Sequence, residues 1–100
     1  MITLDEIKEW LRIDIDYTGD DNLLNSLILS SQTIIKSATG VSKDFEDTLS
    51  TEDYTEISEL YKMVQRVLIT DLYNEKSVEN KALTSLYTQL ELEYRRCLNA

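Results

Sequence analysis

The sequence predicts an all-α protein, a small bundle of about four helices with a long acidic loop between the second and third helices. The 100 residues include no proline and only two glycines, Gly19 and Gly40, so few positions interrupt a helix. Apolar residues recur at helical spacing in four segments, at about 4–12, 21–39, 56–73 and 81–98. The length is that of one domain, so we expect residues 1–100 to form a single helical domain.

The first helix opens with a capping box, in which Thr3 accepts from the Glu6 amide and the Glu6 side chain reaches back. Trp10 lies beside its apolar stripe, which consists of Leu4, Ile7 and Leu11. A helix this short is not stable alone, so it must pack on another element.

The second helix begins after Asp20 or Asp21, either of which can act as the N-cap, and it closes at Thr39-Gly40. Serines alternate with its apolar positions, which permits close helix packing on a second side. The apolar positions are Leu23, Leu24, Leu27, Ile28, Ile34, Ile35 and Ala38, and the serines are Ser26, Ser30, Ser31 and Ser37.

Residues 41–55, VSKDFEDTLSTEDYT, show no sustained period and predict a long acidic loop. A loop of this length in a small domain is usually functional or disordered. Its aromatic residues, Phe45 and Tyr54, either anchor a partner or pack back on the helices, and the sequence favours neither.

Two further helices follow, with a polar break between them at 74–80. The third carries an apolar face of Ile57, Leu60, Tyr61, Val64, Val67, Leu68 and Leu72, and the fourth one of Leu83, Leu86, Leu90, Tyr94 and Cys97. Tyr87 and Leu92 fall off the stripe of the fourth helix. They indicate a second apolar face there and with it a subunit contact.

The charge is strongly one-sided, with 19 Asp plus Glu against 10 Lys plus Arg and a net charge of −9. This argues against general nucleic-acid binding, which depends on Lys and Arg, and against binding to an anionic membrane surface. An acidic surface suits solubility, repulsion of DNA, or docking on a basic partner.

Nothing in the sequence supports catalysis, a cofactor or a metal. The chain has no histidine, which removes the commonest general base and the best zinc ligand. Neighbouring carboxylates fall on polar helix faces, where a solvated surface is the default: Asp5 with Glu6, Asp20 with Asp21, and Glu91 with Glu93. We therefore predict that the protein is not an enzyme.

The single cysteine, Cys97, cannot form an internal disulfide, and a structural thiol in a reduced cytosolic setting is expected. The N-terminal stretch MITLDEIKEW is acidic and amphipathic, unlike a signal peptide. No segment approaches the apolar length that spans a bilayer.

The stretch DIDYTGDDNLLN, residues 14–25, has the spacing that opens an EF-hand calcium loop. Asp14, Asp16 and Gly19 match, but the last loop position, which needs a bidentate Glu, is Asn25. We therefore predict an Asx-rich turn that ends one helix and caps the next, and no metal site.

Six tyrosines are many for this length, and tyrosine is favoured at interfaces. Tyr61 has core spacing and is expected to be buried. The basic residues Lys62, Arg66, Arg95 and Arg96 are expected to be surface salt-bridge partners or inter-subunit pairs. As contacts to a partner or another subunit we predict Trp10, Tyr17, Asp44, Phe45, Tyr54, Tyr87, Leu92, Tyr94 and Arg95.

The arrangement resembles the head–tail connector proteins of long-tailed phages, also called DNA-packaging or head-completion adaptors. Their pattern is a short helix ending in "LRID", an acidic turn, and a helix of the form "D..L..LI..A...I...TG". The matching positions are Leu11-Arg12-Ile13-Asp14, Asp16, Asp21, Leu24, Leu27-Ile28, Ile34-Ile35 and Thr39-Gly40. VQRVLITDLYNEKS and SLYTQLELEYR are similar to the family's last two helices.

The resemblance implies a structural protein of the virion neck that assembles as a ring, a dodecamer in the virion. The implied partners are the portal protein, the stopper or tail-completion protein and further copies of the chain, with genomic DNA passing through unbound. The implied location is the virion, and the host cytoplasm during assembly. An alternative from composition is a small acidic regulatory or DNA-mimic module that masks a basic partner. A calcium-responsive helical switch is a third.

Overall fold

The computed structural model describes residues 2–42, 44–45, 49–74 and 81–98, and it contains four helices and no strand in this part of the chain. In chain order they are α1 (Leu4–Leu11), α2 (Asp21–Thr39), α3 (Thr51–Tyr73) and α4 (Lys81–Leu98). The predicted small all-α bundle is confirmed.

Two of the predicted helix ends, the start of α1 and the end of α2, are set by the expected local chemistry. The Thr3 side chain accepts from the Glu6 amide at 3.2 Å, and the Thr3 amide donates to Glu6 Oε1 at 3.1 Å. Gly40 ends α2 with a φ of 78°, in the left-handed region that favours glycine. α1 ends at Leu11, where Arg12 adopts the same region with a φ of 61°, an unusual position for a residue with a side chain.

The predicted loop 41–55 is too long at its C-terminal end. α3 begins at Thr51 and not at about Glu56, because the Ser50 side chain accepts from the Asp53 amide at 3.3 Å and caps the helix. The first turn of α3 is polar, so apolar spacing did not reveal it. Residues 43 and 46–48 of the predicted loop lie outside the described residues.

Two apolar clusters form the core, and α3 contributes to both. The first joins α3 and α4 with the C-terminal half of α2 and with the loop that follows it; it consists of Ile35, Val41, Phe45, Ile57, Tyr61, Val64, Leu68, Leu83, Leu90 and Cys97. The second joins α1 to the start of α2 and to α3, through Ile2, Ile7, Leu24, Ile28 and Ile69. Burying both clusters requires α3 to be covered on more than one side.

Tyr61 lies at the centre of the first cluster and is fully buried, which confirms its prediction as a core residue. Its ring packs against that of Phe45, with centroids 5.4 Å apart. Among the described residues, the Tyr61 hydroxyl finds no hydrogen-bond partner. Burial therefore disfavours the phenolate and raises the pKa of Tyr61 to about 12.

A buried polar chain, centred on Gln65, crosses from the N-terminus to α2. The Ile2 amide donates to Gln65 Oε1 at 3.0 Å, and Gln65 Nε2 donates to Ser31 Oγ at 3.0 Å. Ser31 Oγ in turn donates to the carbonyl of Ile28 at 2.6 Å. Both functions of the Gln65 amide are thus satisfied, and the side chain links three segments of the chain.

We expect Gln65→Ala to lower the free energy of unfolding by about 2 kcal/mol, because the buried Ile2 amide loses its acceptor and Ser31 Oγ loses the amide that donates to it. Urea denaturation measures the loss. Gln89→Ala, the same change at an exposed position of α4, is the control and should stay within about 0.5 kcal/mol of the unmodified chain. Equal effects of the two substitutions would contradict the role given to Gln65.

Candidate functional site

The acidic turn between α1 and α2 is organised around a buried lysine. The Lys8 side chain is only 2% exposed, and its ammonium forms an ion pair with Asp21 Oδ1 at 2.6 Å. The same ammonium donates to the carbonyl oxygens of Tyr17 at 2.7 Å and Ile15 at 3.2 Å. A buried ammonium needs several such acceptors to offset its loss of hydration, and here the turn supplies them.

The aspartates at the start of the turn shape its backbone. Asp14 Oδ1 accepts from the Asp16 amide at 3.0 Å, and the Asp14 carbonyl accepts from the Tyr17 amide at 3.0 Å. This is the Asx-rich turn that the sequence predicts. Across the described ranges, no three His, Cys, Asp or Glu side chains come together as a group that could hold a metal ion.

Asp20 is the N-cap residue of α2, one of the two predicted positions, but its side chain makes no capping hydrogen bond. Its carboxylate instead accepts from the Tyr73 hydroxyl at 2.7 Å. That hydrogen bond raises the pKa of Tyr73 and joins the start of α2 to the end of α3. Long-range pairing has therefore replaced the expected local cap.

Lys8 is the residue of this region that the sequence argument missed. A signal was present, because Lys8 stands four residues after Leu4 and next to Ile7, inside the apolar stripe of α1. A lysine on the buried face of a short helix indicates a nearby set of oxygen acceptors. The acidic turn that follows was the obvious source of them.

Trp10 forms one wall of an open cavity of about 590 Å³ between α1 and α3. Its side chain is 46% exposed, yet its indole N–H donates to Thr70 Oγ1 at 2.9 Å and the Arg66 guanidinium lies 5.7 Å from its ring centroid. The cavity is lined by Glu6, Glu9, Trp10, Arg12 and Arg66. This is a fixed aromatic platform among mixed charges, a surface suited to contact with another protein.

Glu6 connects this platform to α3. Its carboxylate lies 3.3 Å from Lys62 Nζ and 4.0 Å from an Arg66 nitrogen. Partial burial raises the pKa of Glu6, but the hydrogen bonds from Thr3 and Lys62 and the charge of Lys62 outweigh it, so the pKa is lowered overall.

The structure separates the predicted contact residues by exposure. Trp10, Tyr17, Asp44, Leu92 and Arg95 are exposed, whereas Tyr54, Tyr87 and Tyr94 are half-buried against the first cluster. Phe45 is buried, with its ring 5.6 Å from that of Tyr54, so it packs back on the helices and is not accessible to a partner in this conformation. The exposed residues lie on α1, in the turn that follows it, in the loop after α2 and on α4.

The basic residues of α4 have partners within the chain. Arg95 pairs with Glu91 at 2.8 Å, and Arg96 pairs with Glu93 at 3.0 Å and with Glu56 at 3.7 Å. With the pairs of Lys62 and Arg66, these contacts confirm the expected surface salt bridges. Such exposed pairs contribute little stability individually.

Cys97 is more buried than its sequence position indicates, and it belongs to the first cluster. Burial, with a contribution from Asp53, raises the pKa of its thiol. A thiol of this kind is poorly reactive, which agrees with the structural role predicted for it.

Within the described residues no helix is long and apolar enough to cross a membrane.

Residues 1–96 match the family model of the phage gp6-like head–tail connector proteins. The chain belongs to this family. No curated protein and no solved structure gives a significant match. Members of the connector family are structural virion proteins of the head–tail neck, where they interact with other virion components. The acidic turn described above includes the Asp14, Asp16 and Asp21 positions on which the sequence resemblance rests.

In this connector protein we expect Lys8→Met to lower the free energy of unfolding by about 2 kcal/mol, because two carbonyls and Asp21 lose their cation while Asp21 keeps partial access to water. Amide hydrogen exchange should accelerate most at Asp16 and Tyr17. Lys81→Met, at an exposed lysine that begins α4, is the control. Unchanged exchange in the turn would refute this role of Lys8.

Glu6→Gln should lower the free energy of unfolding at neutral pH but leave it unchanged in acid. Because the folded-state pKa of Glu6 is lowered, its stabilisation is present above the unfolded pKa, near the usual 4.5, and is lost as the pH falls through the folded value. Urea unfolding of both proteins at pH 7 and near pH 3 tests this, and the two curves should converge in acid. Glu59→Gln, on the exposed side of α3, controls for general loss of charge; a gap that persists in acid would contradict the assignment.

Proposed function

We propose that the protein is the adaptor of the phage neck, which assembles as a dodecameric ring and docks under the portal. The ring extends the DNA channel and seats the stopper or tail-completion protein. The observation that carries this proposal is the family match over residues 1–96.

The charge distribution supports passage of DNA without binding. The net charge is −9, and exposed carboxylates lie on three of the four helices, for example Glu9 on α1, Glu59 on α3 and Glu93 on α4. Subunits of this kind arranged around an opening present a negative wall, which repels phosphates and lets DNA slide. The same charge suits docking on basic surfaces of neighbouring virion proteins.

The exposed members of the predicted contact set are the proposed points of attachment. Trp10 is the strongest of them, because its ring is fixed by Thr70 and Arg66 while nearly half of it stays accessible. Rigid aromatic side chains lose little entropy when a partner covers them. We place the protein in the virion neck, and in the host cytoplasm during assembly.

The proposal is tested in the phage or prophage that encodes the chain. Deleting the gene should leave DNA-filled heads that do not join tails, and supplying the gene in trans should restore complete particles. Electron microscopy of the particles gives the readout, and a second trans copy with an early stop codon is the control. Complete, infectious particles without the protein would overturn the proposal.

A binding assay separates the proposal from the acidic regulatory alternative. The purified chain should bind the portal protein of the same phage. A monomer that does not bind the portal protein but binds a basic host protein tightly would favour the regulatory or DNA-mimic module instead.

A further inference from the structure

α2 differs from the other helices in charge. Its 19 residues include only two charged side chains, Asp21 and Lys36. Asp21 is half-buried and paired with the buried Lys8, so Lys36 carries the one charge on the outward side of the helix. In a chain with a net charge of −9, this leaves one long helix surface without carboxylates.

The outward side of α2 is also apolar at two points. Leu23 is 50% exposed, and Leu29 at 63% is the most exposed large apolar side chain in the described part of the protein. We call the exposed side the α2 face; it consists of Asn22, Leu23, Asn25, Ser26, Leu29, Ser30, Thr33, Lys36 and Ser37. Neutral amides and hydroxyls cost less to desolvate than carboxylates, and leucines gain from being covered by another protein.

A shallow cavity of about 420 Å³ borders the α2 face near its C-terminal half. It is lined by Leu29, Gln32, Thr33, Lys36, Ser42 and Asp44. Lys36 and Asp44 give the cavity one charge of each sign, so it is close to neutral. Asp44 is one of the predicted contact residues, and the cavity joins it to the α2 face.

Charge complementarity identifies what covers this face. A basic partner would be attracted to the carboxylates on α1, α3 and α4. On the α2 face it would instead be repelled by Lys36. A nucleic acid binds through several Lys or Arg side chains, and the α2 face offers only Lys36, so it does not suit a nucleic acid. An acidic protein fits, because it avoids the like-charge contacts of the other faces and places carboxylates near Lys36. The chain itself is such a protein.

We propose that the α2 face is the surface through which one copy of this chain contacts the next, with Lys36 set against carboxylates of its neighbour. The helix surface itself carries no exposed carboxylate, and Asp44 at its edge lines the same cavity as Lys36. The carboxylates on α1, α3 and α4 of the neighbour are therefore the partners we propose for Lys36, which makes the contact heterologous. Heterologous contacts that close generate rings. The inference rests on the ring assembly of the proposed function and assigns the surface that carries it.

Sedimentation velocity of the purified chain over a concentration series tests the assignment. Ser30→Glu adds a carboxylate to the α2 face, and Ser85→Glu makes the same change at an exposed serine of α4. The two variants have equal net charge, so general repulsion between copies is the same in both. We expect Ser30→Glu to weaken self-association by about tenfold or more, because a carboxylate is then buried without a partner, and Ser85→Glu by less than about twofold.

Leu29→Glu, also at an exposed position, should reproduce the effect of Ser30→Glu, and circular dichroism checks that all variants remain helical. Equal weakening by Ser30→Glu and Ser85→Glu overturns the assignment, as does a wild-type chain that stays monomeric at every concentration. Neither result affects the neck function, which the particle experiment decides separately. If gene deletion leaves infectious particles while the Ser30→Glu effect persists, the neck function fails and the self-contact stands.

Discussion

The packing of α2 on α3 through Gln65 is the contact on which the rest of the structure depends. Gln65 is fully buried and is bonded on one side to the chain start at Ile2 and on the other to Ser31 of α2. A buried amide that loses either partner is destabilising, so the bond pair fixes how these segments meet. Apolar packing alone permits small shifts between helices, whereas this polar chain requires one alignment.

The alignment of α3 places its neighbours. Tyr61, Val64 and Leu68 face the first cluster, while Ile69, one residue further along, faces the second. Successive residues on a helix differ by about 100° in direction, so α3 presents separate surfaces to α4 and to α1. α1 is too short to be stable without such a surface. Glu6 both closes the capping box of α1 and pairs with Lys62 of α3, so the same residue stabilises the helix and attaches it to α3.

The acidic turn is held together by a cation of the chain itself, the buried Lys8 ammonium. The Lys8 ammonium pairs with the Asp21 carboxylate and donates to the carbonyls of Ile15 and Tyr17. The turn resembles a metal loop in sequence alone, because Asp14 accepts from the Asp16 amide while the acceptors of Lys8 are two backbone carbonyls and Asp21. Here the cation is covalently part of α1, so closing the turn also positions α1 against α2. In this connector protein the turn is therefore coupled to the packing of α1 on α2.

Much of the fold followed from local chemistry that the sequence displays. The capping box at Thr3, the glycine end of α2 at Gly40 and the spacing of α2 and α4 predicted elements that the structure contains. Gly40 and the apolar spacing of α2 also carried the family resemblance. Each of these signals depends on residues within a few positions of one another. Local rules therefore suffice for them.

The remaining features depend on partners that are distant in sequence. The hydrogen bonds of Gln65 reach residues 63 and 34 positions away, and the bond from Tyr73 to Asp20 spans 53. No local pattern shows that Asp20 pairs with Tyr73 instead of capping α2, or that Phe45 turns inward. The sequence alone determined the four helices, except for the first turn of α3, and the family. Only the tertiary structure decided which polar groups are buried together and which side of α2 is exposed, because both depend on what lies opposite each side chain.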